Sequence, residues 1–351
     1  MHELNFRHHI IDPDPPGCEH DIVLLADVNG NGRLDVIIAG KQGDPNVFWY
    51  ENLSWQRHDI ATVPQLEAGG VVLDVAGQGR PDFVAGQQWG GHDLYWFECP
   101  ADPTGLWPVH LITSQFEKYH DQAVGDVDGD GELELVFLSQ RAGVLAYYDI
   151  PSDPRVAPWP DDCFHLIADD VPDVEGLVVV DIDGDGVNEL LAGTHIYRLN
   201  DHGRWTREPY LTGFTMTRLA VADLDGDGEL EIVVAEGESD PARLVWLKPG
   251  GQPRLLRDDL FHPHSLQIAD FTGDGRPDIF VGEMGLGRNA DPKLLIYRNL
   301  GGGEFKEYVI QRGIPTHEAM VGDLTGNGLP DIVGKPYSPE RHNDVWFNES
   351  E

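Results

Sequence analysis

One nine-residue pattern occurs seven times along this chain and decides what the chain can fold into. It reads Asp, apolar, Asp/Asn/Thr, Gly, Asp/Asn, Gly, two variable residues, Asp/Glu, and its copies begin at Asp27, Asp74, Asp126, Asp181, Asp223, Asp270 and Asp323. The second copy departs from it, with Ala76 and Gln78 at positions three and five. The spacings are 47, 52, 55, 42, 47 and 53 residues. That period is longer than a leucine-rich or tetratricopeptide unit and suits a four-stranded propeller blade.

The punctuation around each copy repeats as well. An apolar strand leads into the turn (IVLLADV, LAVADL) and a second follows it (LDVIIAG, LEIVVAE). A third strand is rich in aromatics (NVFWYEN, DLYWFEC), and a fourth opens on Trp or Phe (WQRHDIA, FKEYVIQ). With 41 Gly and 25 Pro, turn formers suffice for that many tight connections. The seventh unit ends after three strands, while LNFRHHIID near the N-terminus matches a fourth strand with no partners before it. The two ends then complete one blade, which hides the edges an open array would expose. The expected fold is all-β: a single seven-bladed β-propeller over residues 1–351, with residues 4–11 supplying the outer strand of the C-terminal blade.

The turns follow the logic of a calcium loop, with oxygen side chains at positions one, three and five, a backbone carbonyl at seven and a carboxylate at nine. Hard oxygen ligands favour Ca²⁺. Copies three to five carry four acids each: Asp126, Asp128, Asp130 and Glu134; Asp181, Asp183, Asp185 and Glu189; Asp223, Asp225, Asp227 and Glu231. Copy six has Asp270, Asp274 and Asp278 with Thr272. These four turns are the candidates for structural Ca²⁺. An Asp at a strand end also caps turn amides without any ion, so self-capped turns are the competing expectation.

This turn followed by an apolar strand looks like the FG-GAP or VCBS repeat of integrin-type propellers. The blades containing HDIVLLADVNGNGRLDVIIAGK and HSLQIADFTGDGRPDIFVGE more narrowly resemble the propeller of fungal aldos-2-ulose dehydratase and related β-propeller polysaccharide lyases, although the cupin domains of the dehydratase are missing. The first resemblance implies the fold. The second implies carbohydrate chemistry.

Because the Asp turn joins first to second strand at one face, residues entering the first strand and leaving the second lie on the opposite face, around the axis. Six positions before each motif Asp stand Asp21, Ala68, His120, Glu175, Thr217, His264 and His317, with His20 beside Asp21. Three histidines thus share one register. Leaving the second strands on that face are Lys41, Gln87, Trp89, Gln140, Arg141, His195, Glu236, Arg288, Lys335 and Tyr337. Imidazoles hold transition metals or act as bases near neutral pH. The expectation is a Zn²⁺ or other divalent ion bound by at least two of His120, His264 and His317, with Glu283, Glu236 or Glu318 as additional ligands. The competing expectation is a wet channel whose histidines do nothing.

Two functions follow. The first is a carbohydrate lyase or dehydratase acting by β-elimination on a sugar acid or ketosugar, with His120, His264, His317, Lys41, Arg141, Lys335 and Tyr337 as its chemical groups. Gln87, Trp89, Gln140, His195, Glu236 and Arg288 would contact substrate. The second is a non-catalytic sugar- or protein-binding propeller. A net charge of −37 argues against nucleic acid or an anionic membrane. Three scattered cysteines indicate neither a disulfide framework nor a thiolate metal site. Serine-hydrolase, zincin and P-loop motifs do not occur. The first ten residues lack an apolar leader core and no run of 18 apolar residues exists, so neither secretion nor membrane insertion is expected. The default location is cytoplasmic, and secreted if a leader has been trimmed.

Overall fold

The structure is a computed structural model that describes residues 4–172 and 175–350. Its strands form seven four-stranded antiparallel sheets. Their innermost strands are Cys18–Ala26, Val71–Leu73, Tyr119–Gly125, Leu177–Val180, Thr217–Ala222, Ser265–Ala269 and Glu318–Gly322. Each sheet is one blade, numbered here from one to seven in that order. Blade seven runs inward to outward as Glu318–Gly322, Asp331–Lys335, Asn343–Asn348 and finally Phe6–Asp12 from the other end of the chain. Phe6 pairs with Asn348 and His9 with Val345, with a bulge between Ile10 and Asp12. The closing strand thus sits one to two residues later than its apolar pattern suggested.

The second and third strands of each blade are buried on both faces, because every blade is sandwiched between two others. This is why they read as unbroken apolar runs rather than alternating ones. The core accordingly lies between blades. Ile37 and Trp49 of blade one pack with Phe83 and Phe97 of blade two, and Phe271 and Phe280 of blade six pack with Trp346 of blade seven and Phe6. Indole N–H groups reach across as well: Trp49 donates to the Pro103 carbonyl at 3.0 Å and Trp96 to that of Pro154 at 3.1 Å. Among the described residues, no helix is long and apolar enough to cross a membrane.

Deleting residues 1–11 should uncover the edge over Val345, Trp346 and Phe347, which are now buried. Exposing side chains of that size costs about 1.5–3 kcal/mol each. The expected outcome is aggregation or a fall in Tm of more than about 10 °C by scanning calorimetry. A soluble truncation that melts like the parent would contradict closure by this strand.

Candidate functional site

The axial register emerges from two local devices. Pairing of the first two strands is irregular at Asp21 in blade one and at His120 in blade three. The extra residue re-aims its side chain, as β-bulges do. At the start of the inner strand in blade one, and just before it in four others, Glu19, Gln65, Lys118, Met216 and His262 all adopt left-handed backbone, with φ from 40° to 65°. The carbonyls of Gln65, Lys118, Met216 and His262 accept the N–H of Gln88, Gln140, Gly237 and Met284, where the second strand leaves the same face. Such corners cost about 1–3 kcal/mol each when non-glycine, so the surrounding blade must hold them. Gly69 (φ +89°) packs so closely that a Cβ there would lie 2.3 Å from the His120 carbonyl.

Three side chains meet at the centre: His120, Glu175 and His264, all buried, with one ligand atom from each within 4.8 Å of the others. His120 Nε2 lies 3.5 Å from Glu175 Oε1, close to the roughly 3.3 Å between two ligands of a tetrahedral ion with bonds of 2.0–2.2 Å. His120 Nδ1 lies 2.8 Å from Asp121 Oδ2, and His264 Nδ1 lies 3.0 Å from Glu318 Oε1. Outer carboxylates of this kind orient metal-binding imidazoles. His264 Nε2 and Glu175 Oε2 are buried without any hydrogen-bond partner, and Glu238 Oε1 stands 3.8 Å from that nitrogen. Two imidazoles and a carboxylate with bare inner atoms fit a borderline divalent ion better than Ca²⁺. Burial works against a charged His120, but Glu175 and Asp121 outweigh it and raise its pKa to about 9.

His317 stands beside this group rather than in it. Its ring stacks on His264 at 4.2 Å between centroids. Its Nδ1 lies 3.0 Å from Lys335 Nζ and 3.4 Å from Asp21 Oδ1. Of the three register histidines, His120 and His264 are the two grouped, together with Glu175. Glu318 touches the outer nitrogen of His264 instead of the ion position. Glu283 accepts from the backbone of Phe261 and Lys293, and Glu236 is held by Arg243. Burial, then Lys335, hold His317 well below its ordinary pKa, and burial lowers Lys335 to about 8. Lys41 donates to the Tyr337 hydroxyl at 3.1 Å and pairs with Asp21 at 2.8 Å. Burial lifts Asp21 to about 6 even so.

The remaining expected residues divide. Gln140 donates to Glu175 and belongs to the cluster. Trp89 and Arg141 form a rim pair, the guanidinium 4.6 Å above the ring, with Lys118 5.6 Å away from the same ring. Arg288 donates to His262 at 2.8 Å. Gln87 and His195 are engaged within their own neighbourhoods, by Pro64 and Thr194. The expected set lacked Asp121 and the left-handed corners. The acid directly after a register histidine, as in His120–Asp121 and His317–Glu318, was the available signal.

On the opposite face, the closing carboxylate of every turn accepts a backbone N–H from position two or three. Where it is Asp, its second oxygen is also used. Asp35, Asp82, Asp278 and Asp331 accept the N–H of Asn52, Cys99, Asn299 and Asn348 at 2.7–2.8 Å. The three asparagines then donate to the preceding blade, at the carbonyls of Leu324, Leu224 and Phe271. Where it is Glu, the second oxygen faces the other acids, giving the groups Asp126–Asp128–Glu134, Asp181–Asp183–Glu189 and Asp223–Asp225–Glu231. Position-five acids Asp130, Asp185 and Asp227 cap backbone N–H groups instead.

In the sixth turn, both oxygens of Asp278 accept backbone N–H groups, and Asp274 is held by Arg276 and Arg298. Asp270 caps the turn amides. In the fifth turn, the Lys248 ammonium reaches Asp225, Asp227, Glu229 and Glu231. Arg198 stands 3.6 Å from Asp183 in the fourth. Among the described residues, no cation pairs with the acids of the third. Burial and its neighbours push Glu134 up to about 7.

Residues 181–234 and 270–334 match the family described as FG-GAP-like repeat. Those two stretches of the propeller thus carry FG-GAP-like repeats. A search of curated proteins finds no match. Among solved structures, BBS1N in complex with ARL6DN is 11% identical with a TM-score of 0.60, covering 97% of this chain and 95% of that one. Rhamnogalacturonan lyase YesW is 13% identical with a TM-score of 0.52, covering 96% and 75%. Exotype rhamnogalacturonan lyase YesX is 12% identical with a TM-score of 0.54, covering 97% and 75%. At these identities the chain shares a fold with them.

Calcium should act through the third turn. In its absence Glu134 keeps a proton that the unfolded chain releases above its ordinary 4.5. This group's contribution to stability therefore falls as pH rises from 4.5 to about 7. Calcium at about 100 times its Kd should raise Tm by roughly 5 °C near neutral pH and less at pH ~5. Asp128→Ala should erase the gain, whereas Asp225→Ala should not. Equal melting with calcium and with chelator would show that all seven turns are self-capped.

Proposed function

We propose that the axial cluster is the active site of a carbohydrate lyase or dehydratase that performs β-elimination on a sugar acid or ketosugar with the help of a divalent metal. The observation that carries this reading is the pair of imidazoles fixed by carboxylates on their outer nitrogens, with His264 Nε2 and Glu175 Oε2 left bare between them. A metal held by His120, Glu175 and His264 would stabilise the enolate-like charge as a Lewis acid.

The chain's own groups divide the remaining work. His317, neutral because of burial and Lys335, takes the proton from the carbon next to the carboxylate or ketone. The freed electron pair forms the carbon–carbon double bond as the β carbon–oxygen bond breaks. Tyr337, whose oxygen already accepts from Lys41 and whose pKa is raised by burial, keeps its proton at neutral pH and gives it to the departing oxygen. Lys41 and Lys335 add positive charge around the developing anion.

The rim favours the sugar acid. In a chain of net charge −37, Lys118 and Arg141 flank the half-exposed Trp89 with no carboxylate in ion-pair contact among the described residues. A pyranose stacked on the indole would place its carboxylate between them. The fold shared with two rhamnogalacturonan lyases agrees with this. A binding propeller would use the rim and leave the bare inner atoms without purpose.

Zinc-loaded protein should convert uronate oligosaccharides, read from the ultraviolet absorbance of the new conjugated double bond. His317→Ala should lower turnover about 10²–10⁴-fold at unchanged Tm. Removing the axial metal with a chelator should abolish turnover, and calcium should not restore it. A parent that consumes neither uronates nor ketosugars would hand the site to the binding reading.

A further inference from the structure

The two carboxylates that fix the imidazoles come from blades three and seven, and one side chain joins them. Arg218, on the inner strand of blade five, places NH1 3.2 Å from Asp121 Oδ1 and NH2 3.1 Å from Glu318 Oε1. The same Glu318 oxygen lies against His264 Nδ1, and the other Asp121 oxygen lies against His120 Nδ1. All of these groups are largely buried. Gly176 N–H adds a further contact, to Asp121 Oδ2 at 3.1 Å. The chain also makes room for this guanidinium: a Cβ at Gly237 would lie 2.9 Å from Arg218 Cγ, although Gly237 needs no left-handed backbone.

We infer that Arg218 is the positioning residue of the axial metal site, a planar fork that holds Asp121 and Glu318 together so that both imidazoles aim their inner nitrogens at Glu175. The inference rests on the metal reading of His120, Glu175 and His264. The fork geometry matters because guanidinium offers two parallel donor directions, whereas ammonium is a point charge. Without it, two buried carboxylates lose their shared partner and turn toward the nearer imidazole protons, so each ring loses its fixed orientation. Arg218 also lies across the axis: with Asp121 and Glu318 it lines a cavity of about 280 Å³ toward the turn face, which Gln122, Gln267 and Met320 complete. The metal position lies on the other side of it.

The test is Co²⁺ uptake by the full chain, read by calorimetry and by the visible spectrum of the bound ion, with the His120→Ala variant identifying the axial share. Arg218→Met should weaken axial Co²⁺ binding about 10–100-fold and alter its spectrum, and Arg218→Lys should recover only part of that loss. Should Arg218→Met fail to fold, Asp121→Asn and Glu318→Gln each break one arm while keeping volume, and each should weaken binding at an unchanged Tm. Parent-like affinity and spectrum in the folded Arg218→Met variant, or in both single-arm variants, overturns the inference. A parent whose Co²⁺ binding is insensitive to His120→Ala overturns the metal reading itself, a separate failure.

Discussion

Antiparallel pairing of Phe6–Asp12 with Asn343–Asn348 sets the circumference of the ring, and every axial contact depends on that circumference. His120, Glu175 and His264 come from blades three, four and six, and no two of the three are on one sheet. Their approach to within 4.8 Å is a property of the closed ring alone. Blade seven, which only exists because the two ends meet, contributes His317, Glu318, Lys335 and Tyr337. A register slip of one residue in that pairing would reverse which side chains of the closing strand face blade six. The bulge at Ile10 and the burial of Ile11 resist it.

One methylene separates two kinds of turn on the other face. Aspartate at position nine is short enough to place both oxygens on backbone N–H groups, and its blade is tied to the one before it through Asn52, Asn299 or Asn348. Cys99 takes the asparagine's place in blade two, with its sulfur 3.9 Å from the Val28 carbonyl. Glutamate carries its second oxygen past the backbone and into the acid group, where charge must be balanced by something else. Lys248 supplies that balance in the fifth turn from within the chain. The charge count of a turn is therefore a poor guide to its ion, because the partner strand decides what the acids meet.

Sequence periodicity carried the architecture because turn chemistry and apolar strands repeat in every blade. The register six residues before each motif aspartate also located His120, Glu175 and His264, since inner strands must enter the axis at one height. Choosing ligands among them was not legible. His317 shares the register but stacks flat on His264, and ring orientation is set by carboxylates from neighbouring strands. Arg218 follows the register residue Thr217 and reaches blades two steps away on either side, a contact that no local pattern encodes. In the sixth turn, Arg298 and the backbone N–H of Asn299, both from the third strand, hold Asp274 and Asp278, which the count of acids does not reveal.

The guanidinium of Arg218, held at both ends, turns the propeller's hole into a well with a floor. A polymer cannot be threaded through such a ring, so any chain that reached the well would have to enter from the rim by its end or as a bent segment. Whatever forms at the bottom must leave by the way its precursor came. Entry and exit therefore share one mouth, and the far face, with its acid turns, lies outside that route.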